Sequence, residues 1–449
     1  MSLRKQATSL AVLHAADILQ PLLILPYAAK VLGLVPFGHY AYAMSIGQLA
    51  AVIVEYGFHW TAQRAAASAR QEPAAIASIF AEVVATKVML FIVVTLAGLA
   101  ATGSLLEISK PMFLCVLLTS AGGILFPAWL FIALERVWRA AIAVVIARSL
   151  ALVCFVTMVT SPDQLELAVA IQSAIPIVAG AVSLPFVVRV GFGGFKSVTP
   201  SRVGMQLRNG LRGFLFTLVE TTLMILPVPL VAHFAGFAAA GQYSVAEKFV
   251  SVTRPFFRVV LETYLPRVAY YSRHDPAAGI ALIWNSLWTL VFGSALSLFL
   301  FFLAPYFIIP LFGQGFSDAI PIVRVMSVIP VLMNVNICTS NLYMFNYGHE
   351  RAWATLTVSG LLIFLVVAFL LSLLLSNAAI AVAVAVIARQ CLVLVVSAGF
   401  FLAFSAARTR VSSTRSVGDP RANSIAATST LASIIYPAPP WRNQPRSDR

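Results

Sequence analysis

The chain has 449 residues, 60% of them apolar and only 10% charged, against roughly 25% charged in an ordinary soluble chain. That excludes a soluble globular protein and places the sequence among all-α polytopic membrane proteins. The formal charge of +14 would point to nucleic acid on a soluble domain, but here the basic residues fall between apolar runs, so nucleic acid is not an expected partner.

Runs long enough to cross a bilayer, roughly 20 residues each, fall at about 7–28, 38–62, 76–101, 112–134, 139–160, 165–188, 207–234, 242–266, 280–304, 319–347, 352–375 and 378–404. They predict about twelve transmembrane helices. Alternate gaps hold most of the Lys and Arg: Arg4 and Lys5, Arg64 and Arg70, Arg136 and Arg139, Arg189 to Arg212, Arg267 and Arg273, Arg351, and the tail from Arg408. The intervening gaps hold only Lys30 and Lys110. By the positive-inside rule both termini face the cytoplasm, and every second loop faces out. The first span, interrupted by His14, Asp17 and Gln20, reads as retained and not as a cleaved signal.

Two stretches echo each other. Pro21-Leu-Leu-Ile-Leu-Pro-Tyr27 followed by Gly38-His-Tyr-Ala-Tyr-Ala43 returns as Ile225-Leu-Pro-Val-Pro229 followed by Gly241-Gln-Tyr-Ser-Val-Ala246. With six spans between the copies, the echo predicts a parallel repeat of two six-helix lobes. Residues 1–190 form the first lobe, 191–206 a cytoplasmic connector, 207–404 the second lobe, and 405–449 a disordered basic tail rich in Ser, Thr, Pro and Arg that leans on anionic lipid.

Catalytic templates are missing. No Gly-x-x-x-x-Gly-Lys-Ser/Thr phosphate loop is present, and no gap between spans is long enough to fold into a catalytic domain. Cys115, Cys154, Cys338 and Cys391 lie in apolar runs, and His14, His39, His59, His233, His274 and His349 are scattered, so no metal or redox site is expected.

Ionisable groups inside the spans are expensive unless they face a partner or a wet cavity. They are Asp17, Glu55, Glu82, Lys87, Arg148, Glu220, Glu247, Lys248, Arg254, Arg258, Glu262, Arg324 and Arg389, and together they predict a hydrated, charged interior. Glu247, Arg254, Arg258 and Glu262 are spaced seven, four and four apart in the eighth span, which places them on one helical stripe with Pro255 weakening the helix beside the arginines. Two guanidiniums there suit a diphosphate; the competing reading is an Arg258–Glu262 ion pair that locks helices. Lys87, Arg148 and Arg389 add positive potential from other spans, or serve as packing partners. Glu55 reads as a helix-end ion pair and Arg324 as a residue snorkelling to the interface. Asp17 and Glu220, each ahead of an Ile-Leu-Pro, are the candidate coupling acids for a proton or sodium ion, or else partners of basic neighbours. Pro21, Pro26, Pro227 and Pro255 are the candidate hinges. No other cofactor is called for.

The chain resembles the Wzx-type polysaccharide and O-antigen repeat-unit flippases, polysaccharide transporters of the multidrug/oligosaccharidyl-lipid/polysaccharide superfamily. The resemblance rests on Pro21 to Gly33 with Phe37-Gly-His-Tyr-Ala-Tyr-Ala43, Glu55-Tyr-Gly-Phe58 with Arg64, Gly241-Gln-Tyr-Ser-Val-Ala-Glu-Lys248, Tyr264-Leu-Pro-Arg267, and Leu311-Phe-Gly-x-Gly-Phe316 with Ala319-Ile-Pro-Ile-Val-Arg324. It does not reach past about Arg408. It implies a MATE-like architecture of two lobes around a central cavity that opens alternately to either side. It further implies an undecaprenyl-diphosphate-linked oligosaccharide as cargo and ion-gradient coupling. A polysaccharide polymerase and a chain-length regulator are the partners expected beside membrane lipid. The alternative is a multidrug/toxin extruder-type cation antiporter, whose cavity would favour acids and aromatics over arginines.

Overall fold

A computed structural model describes residues 19–188, 194–195 and 198–416. Asp17, His14 and the tail from 417 lie outside the described residues. Within them the chain is helical apart from short links and an isolated bridge between Thr102 and Leu106. Apolar segments take this form because a helix satisfies its own backbone hydrogen bonds where no water can.

Ten helical runs among the described residues are long and apolar enough to cross a membrane. One of them, Gly213–His274, extends over 62 residues and carries both the seventh and eighth predicted spans, while the helix Leu19–Leu32 is the described part of the first. The remaining runs match the other predicted spans one to one, so the all-helical polytopic fold stands as expected.

The helices are α1 (Leu19–Leu32), α2 (Leu34–Glu55), α3 (Phe58–Ser68), α4 (Pro73–Ala101), α5 (Lys110–Leu125), α6 (Ala128–Ala133), α7 (Val137–Met158), α8 (Leu165–Ser173) and α9 (Ile175–Val188). After the connector come α10 (Pro200–Ile225), α11 (Pro227–Ser251), α12 (Arg254–His274), α13 (Pro276–Ser286), α14 (Leu290–Phe312), α15 (Ala319–Met326), α16 (Ile329–Asn336), α17 (Glu350–Leu374) and α18 (Ala378–Ser416). Breaks inside predicted spans have local causes. Span two is cut at Tyr56 and Gly57, both in the left-handed region at φ 47° and 72°. Span eight is cut before Pro255, which lacks an N–H and opens α12.

By contacts the chain falls into two compact units. The first gathers residues up to Val252 with Leu298–Val328 and Leu361–Ile387. The two echoed stretches meet inside it. Gly33 separates α1 from α2 at φ 78°, ψ 173°, and Gly236 breaks α11 at φ 79°, ψ 175°. Only glycine adopts this conformation freely, so both copies turn in the same way, five residues before Gly38 and Gly241. A Cβ on Gly38 would fall on the Phe237 carbonyl, and one on Gly241 would lie 3.0 Å from the Leu34 carbonyl oxygen and 3.3 Å from the Gly38 nitrogen. Each copy therefore seats its glycine on the backbone just past the other's turn.

Span two also touches α10 through Gly57, whose added Cβ would be 2.8 Å from the Phe214 nitrogen, while Tyr56 stacks on Phe214 at 4.4 Å. Around them Phe58, Phe80, Trp129, Leu130 and Phe131 form a buried core. Within the connector, Phe195 meets Phe80 edge-on at 6.4 Å.

The second unit comprises Thr253–Ser297, Ile329–Gly360 and the chain from Ala388. Here α12 packs on α13 and on a π-helix, Ile337–Met344, which continues from α16. Val268, Ile283, Cys338, Leu342, Tyr343, Met344 and Phe401 supply its core.

Candidate functional site

The second unit holds the arginine stripe. Arg254 begins α12 and Arg258 lies one turn on, so both project from one face. Arg254 is half-buried. Arg258 donates from Nε to Glu262 Oε1 at 2.9 Å, with both side chains exposed at 62% and 60%. Glu247 lies on α11, beyond the break at Val252 and Thr253, so the predicted four-residue stripe is divided between two helices.

Arg389, on α18, lies against α17 at Gly360, where an added Cβ would come 3.4 Å from its Cγ and Nε. Next to it, Gln390 accepts from Asn336 Nδ2 at 2.7 Å. Thr289 and Asn334 hydrogen-bond each other at 3.0 to 3.1 Å, and Thr339 meets Ser397 at 2.7 Å. These buried amides and hydroxyls have no counterpart among the residues singled out by charge. The signal was present in the sequence as Asn and Gln inside apolar runs.

Lys87, Arg148 and Glu220 belong to the first unit. Lys87 is 2% exposed; its ammonium contacts Glu55 Oε2 at 2.5 Å and the Gly123 carbonyl at 3.2 Å. The structure thus places Lys87 inside the packing of α4 with α2 and α5, and gives Glu55 the ion pair its position suggested. Arg148 on α7 donates to Gln20 Oε1 at 3.1 Å, and Gln20 donates to Gln172 Oε1 at 3.0 Å. That network ties α1, α7 and α8 together with both glutamines buried. Glu82, also buried, accepts from Arg202 at 2.9 Å, Gln206 at 2.8 Å and Ser78 at 3.2 Å.

Among the coupling candidates, Asp17 lies outside the described residues, and Glu220 is half-buried on α10 one and a half turns before its C-terminus at Ile225. Of the hinge candidates, Pro21 and Pro26 lie within α1, Pro227 opens α11, and Pro255 is in the first turn of α12. Arg324 on α15 sits over the Phe301 ring at 5.7 Å. No cluster of His, Cys, Asp and Glu among the described residues could hold a metal.

A family model described as polysaccharide biosynthesis protein matches residues 3–272, more than half of the chain. The chain belongs to that family. A relative in Escherichia coli (strain K12), named "Putative O-antigen transporter", is 26% identical over 401 residues, covering 88% of this chain and 95% of that one. A protein of the same name in Shigella dysenteriae is 22% identical over 82% of this chain and 92% of its own. Among solved structures, a multidrug resistance MATE family transporter in an inward-facing conformation superposes with a TM-score of 0.70 at 14% identity, covering 92% of this chain and all of the other. An outward-facing one gives 0.58 at 15% identity. These likenesses establish a MATE-type fold in a multi-pass membrane protein, and the relatives it matches over most of their length are named as transporters and not as enzymes.

Proposed function

We propose that this polysaccharide transporter is a flippase of lipid-linked oligosaccharide, carrying undecaprenyl-diphosphate-linked repeat units from the cytoplasmic to the outer leaflet of the bacterial inner membrane by alternating access of the lobes 1–190 and 207–404. Both termini face the cytoplasm. The observation that carries the reading is the guanidinium pair Arg254 and Arg258 at the break in an otherwise apolar helical run. A guanidinium offers a planar fork of donors that matches phosphate oxygens, and two of them one turn apart match a diphosphate. The O-antigen transporters among the relatives supply the cargo class. Arg389 adds a third positive group in the same unit, whereas Lys87 and Arg148 are held by internal partners in the other. Asp17 and Glu220 are the coupling acids for a proton or sodium ion.

The Arg258–Glu262 pair makes the test sharp. If Arg258 grips the diphosphate, Arg258→Ala abolishes export of polymer and leaves lipid-linked oligosaccharide on the cytoplasmic side, while Glu262→Gln exports normally. If the pair only locks the helix, the two variants behave alike. Efflux of an amphipathic cation that survives Arg254→Ala and Arg258→Ala, with no cargo accumulating, would favour the extruder reading.

A further inference from the structure

A cavity of about 360 Å³ lies in the first unit, where the link between α4 and α5 meets the start of α2. That volume is within the range of small-molecule sites, about 300–1,000 Å³. Its walls are tied down. Gly103 turns the link at φ 81°, its N–H donates to the Leu106 carbonyl at 3.0 Å, and the N–H groups of Leu105 and Leu106 donate to the Ala101 carbonyl at 3.0 and 2.9 Å. Glu107 donates its backbone N–H to Tyr42 Oη at 3.3 Å, and its carboxylate meets His233 Nδ1 at 3.2 Å. Ser109 accepts from the Met112 N–H and donates to Glu166, each at 3.2 Å. A pocket fixed in advance loses little conformational freedom when a ligand enters.

The lining is rich in acceptors. Glu107 brings a second carboxylate oxygen beside the one that meets His233. His39 lines the cavity too; its Nδ1 lies 3.1 Å from the Val35 carbonyl, which can only accept, so Nδ1 carries the hydrogen and Nε2 of the neutral ring is an acceptor. The Ser104 hydroxyl gives its hydrogen to the Ala101 carbonyl at 3.3 Å, so toward a ligand it accepts as well. Leu106, Ile108 and Met112 supply an apolar wall. Among the described residues that line the cavity there is no Lys or Arg, and no Phe, Tyr or Trp. Acceptors beside an apolar wall match a ligand with hydroxyls on its edge and C–H groups on its face. A phosphate carries only acceptors and would meet Glu107 as a like charge. An amphipathic cation would find the carboxylate without an aromatic face from Phe, Tyr or Trp.

We infer that this cavity is a sugar-binding subsite, which takes one ring of the oligosaccharide cargo at the outer ends of α4 and α5. The inference rests on the flippase reading above and on its topology, since the link from α4 to α5 holds Lys110 as its only basic residue, the charge pattern of an outward loop. The site gives the transporter a contact with the sugar, where the arginines of the other unit recognise only a diphosphate. Oligosaccharide released by mild acid from the lipid-linked pool of the host strain is the probe, in saturation-transfer NMR on the full-length protein in detergent. The parent should transfer saturation to the ring protons, and Glu107→Ala should weaken binding about tenfold, as for one lost hydrogen bond to a charged group. Ser104→Trp, which fills the cavity, should abolish binding and cut export severalfold in cells. Leu105→Trp, in the same link but outside the lining and 81% exposed, should bind and export as the parent does. Equal binding by the parent and Ser104→Trp would put the sugar elsewhere and overturn the assignment, as would a parent that transfers no saturation. Tetraphenylphosphonium that binds the parent and not Ser104→Trp, with no sugar bound, would overturn it in favour of a cation site. A deletion strain that still exports its polymer would instead overturn the flippase reading, and the binding measurements would still decide whether the cavity holds sugar.

Discussion

Removing the ammonium of Lys87 should unfold this protein more readily than almost any other single surface-neutral change, and the structure says by how much. Lys87 is 2% exposed, whereas its partner Glu55 is 35% exposed. Breaking a buried ion pair from one side costs about 3–5 kcal/mol, because the remaining charge is stranded. Glu55 keeps part of its hydration, so Lys87→Met should sit at the low end, about 3 kcal/mol, or roughly 150-fold in the folding equilibrium. The Gly123 carbonyl, which loses a donor as well, keeps the estimate from falling lower. Glu55→Gln should cost more, toward about 5 kcal/mol, since it strands the more deeply buried ammonium. The double variant should recover much of the loss, with a coupling of about 2 kcal/mol in a cycle of denaturant unfolding curves in detergent. Simple additivity would refute the pair as the reason Lys87 is there. A double variant that folds like the parent yet exports no polymer would refute the structural role and return Lys87 to the cargo path.

Three further outcomes are expected. Gly57→Ala should cost about 1–2 kcal/mol from its left-handed φ alone, more if α10 must retreat from the 2.8 Å approach of the Phe214 nitrogen; a denaturation midpoint equal to that of the parent would contradict the close packing. His349 lies in the link before α17, where burial lowers its pKa below the ordinary 6.5 and Tyr343 Oη lies 3.3 Å from its Nε2. The unfolded chain then binds the proton more readily, so this contribution to stability is full above pH 6.5 and declines as pH falls below it; thermal unfolding at pH 8 and pH 5 should show the decline shrink in His349→Asn. Gly360→Leu should displace the Arg389 side chain that lies 3.4 Å from its Cβ position and reproduce the export loss of Arg389→Ala; normal export in Gly360→Leu with lost export in Arg389→Ala would show that the guanidinium finds its place without the glycine.

Much of the fold was legible because a bilayer imposes a one-dimensional rule. Every spanning backbone must be helical and roughly 20 residues long, so apolar length alone located the spans. Pro255, read as weakening the eighth span, does mark its break. The candidate site was less legible. Charge within a span announces expense but names a partner only along the same helix, as for Arg258 and Glu262; the partners of Lys87 and Arg148 lie on other helices. Packing separated them: Lys87 pairs with Glu55 and Arg148 with Gln20 across helices, while Arg258 pairs with an exposed neighbour one turn away. The amides Asn334, Asn336 and Gln390 in one unit and Gln172 in the other escaped a search for charge because an amide disturbs hydropathy far less.

The echo shows where the two kinds of information part. By itself the sequence determined that Ile-Leu-Pro and Gly-x-Tyr occur twice, and that both copies end a span and open the next. Helical periodicity and hydropathy are local, so they fix such features without knowledge of what lies opposite. That Gly33 and Gly236 make the same turn, and that Gly38 and Gly241 then meet each other's chains, was decided only by the tertiary structure. The reason is physical: a glycine's value here is the side chain it lacks, and that absence acquires meaning only when another backbone comes to fill the space.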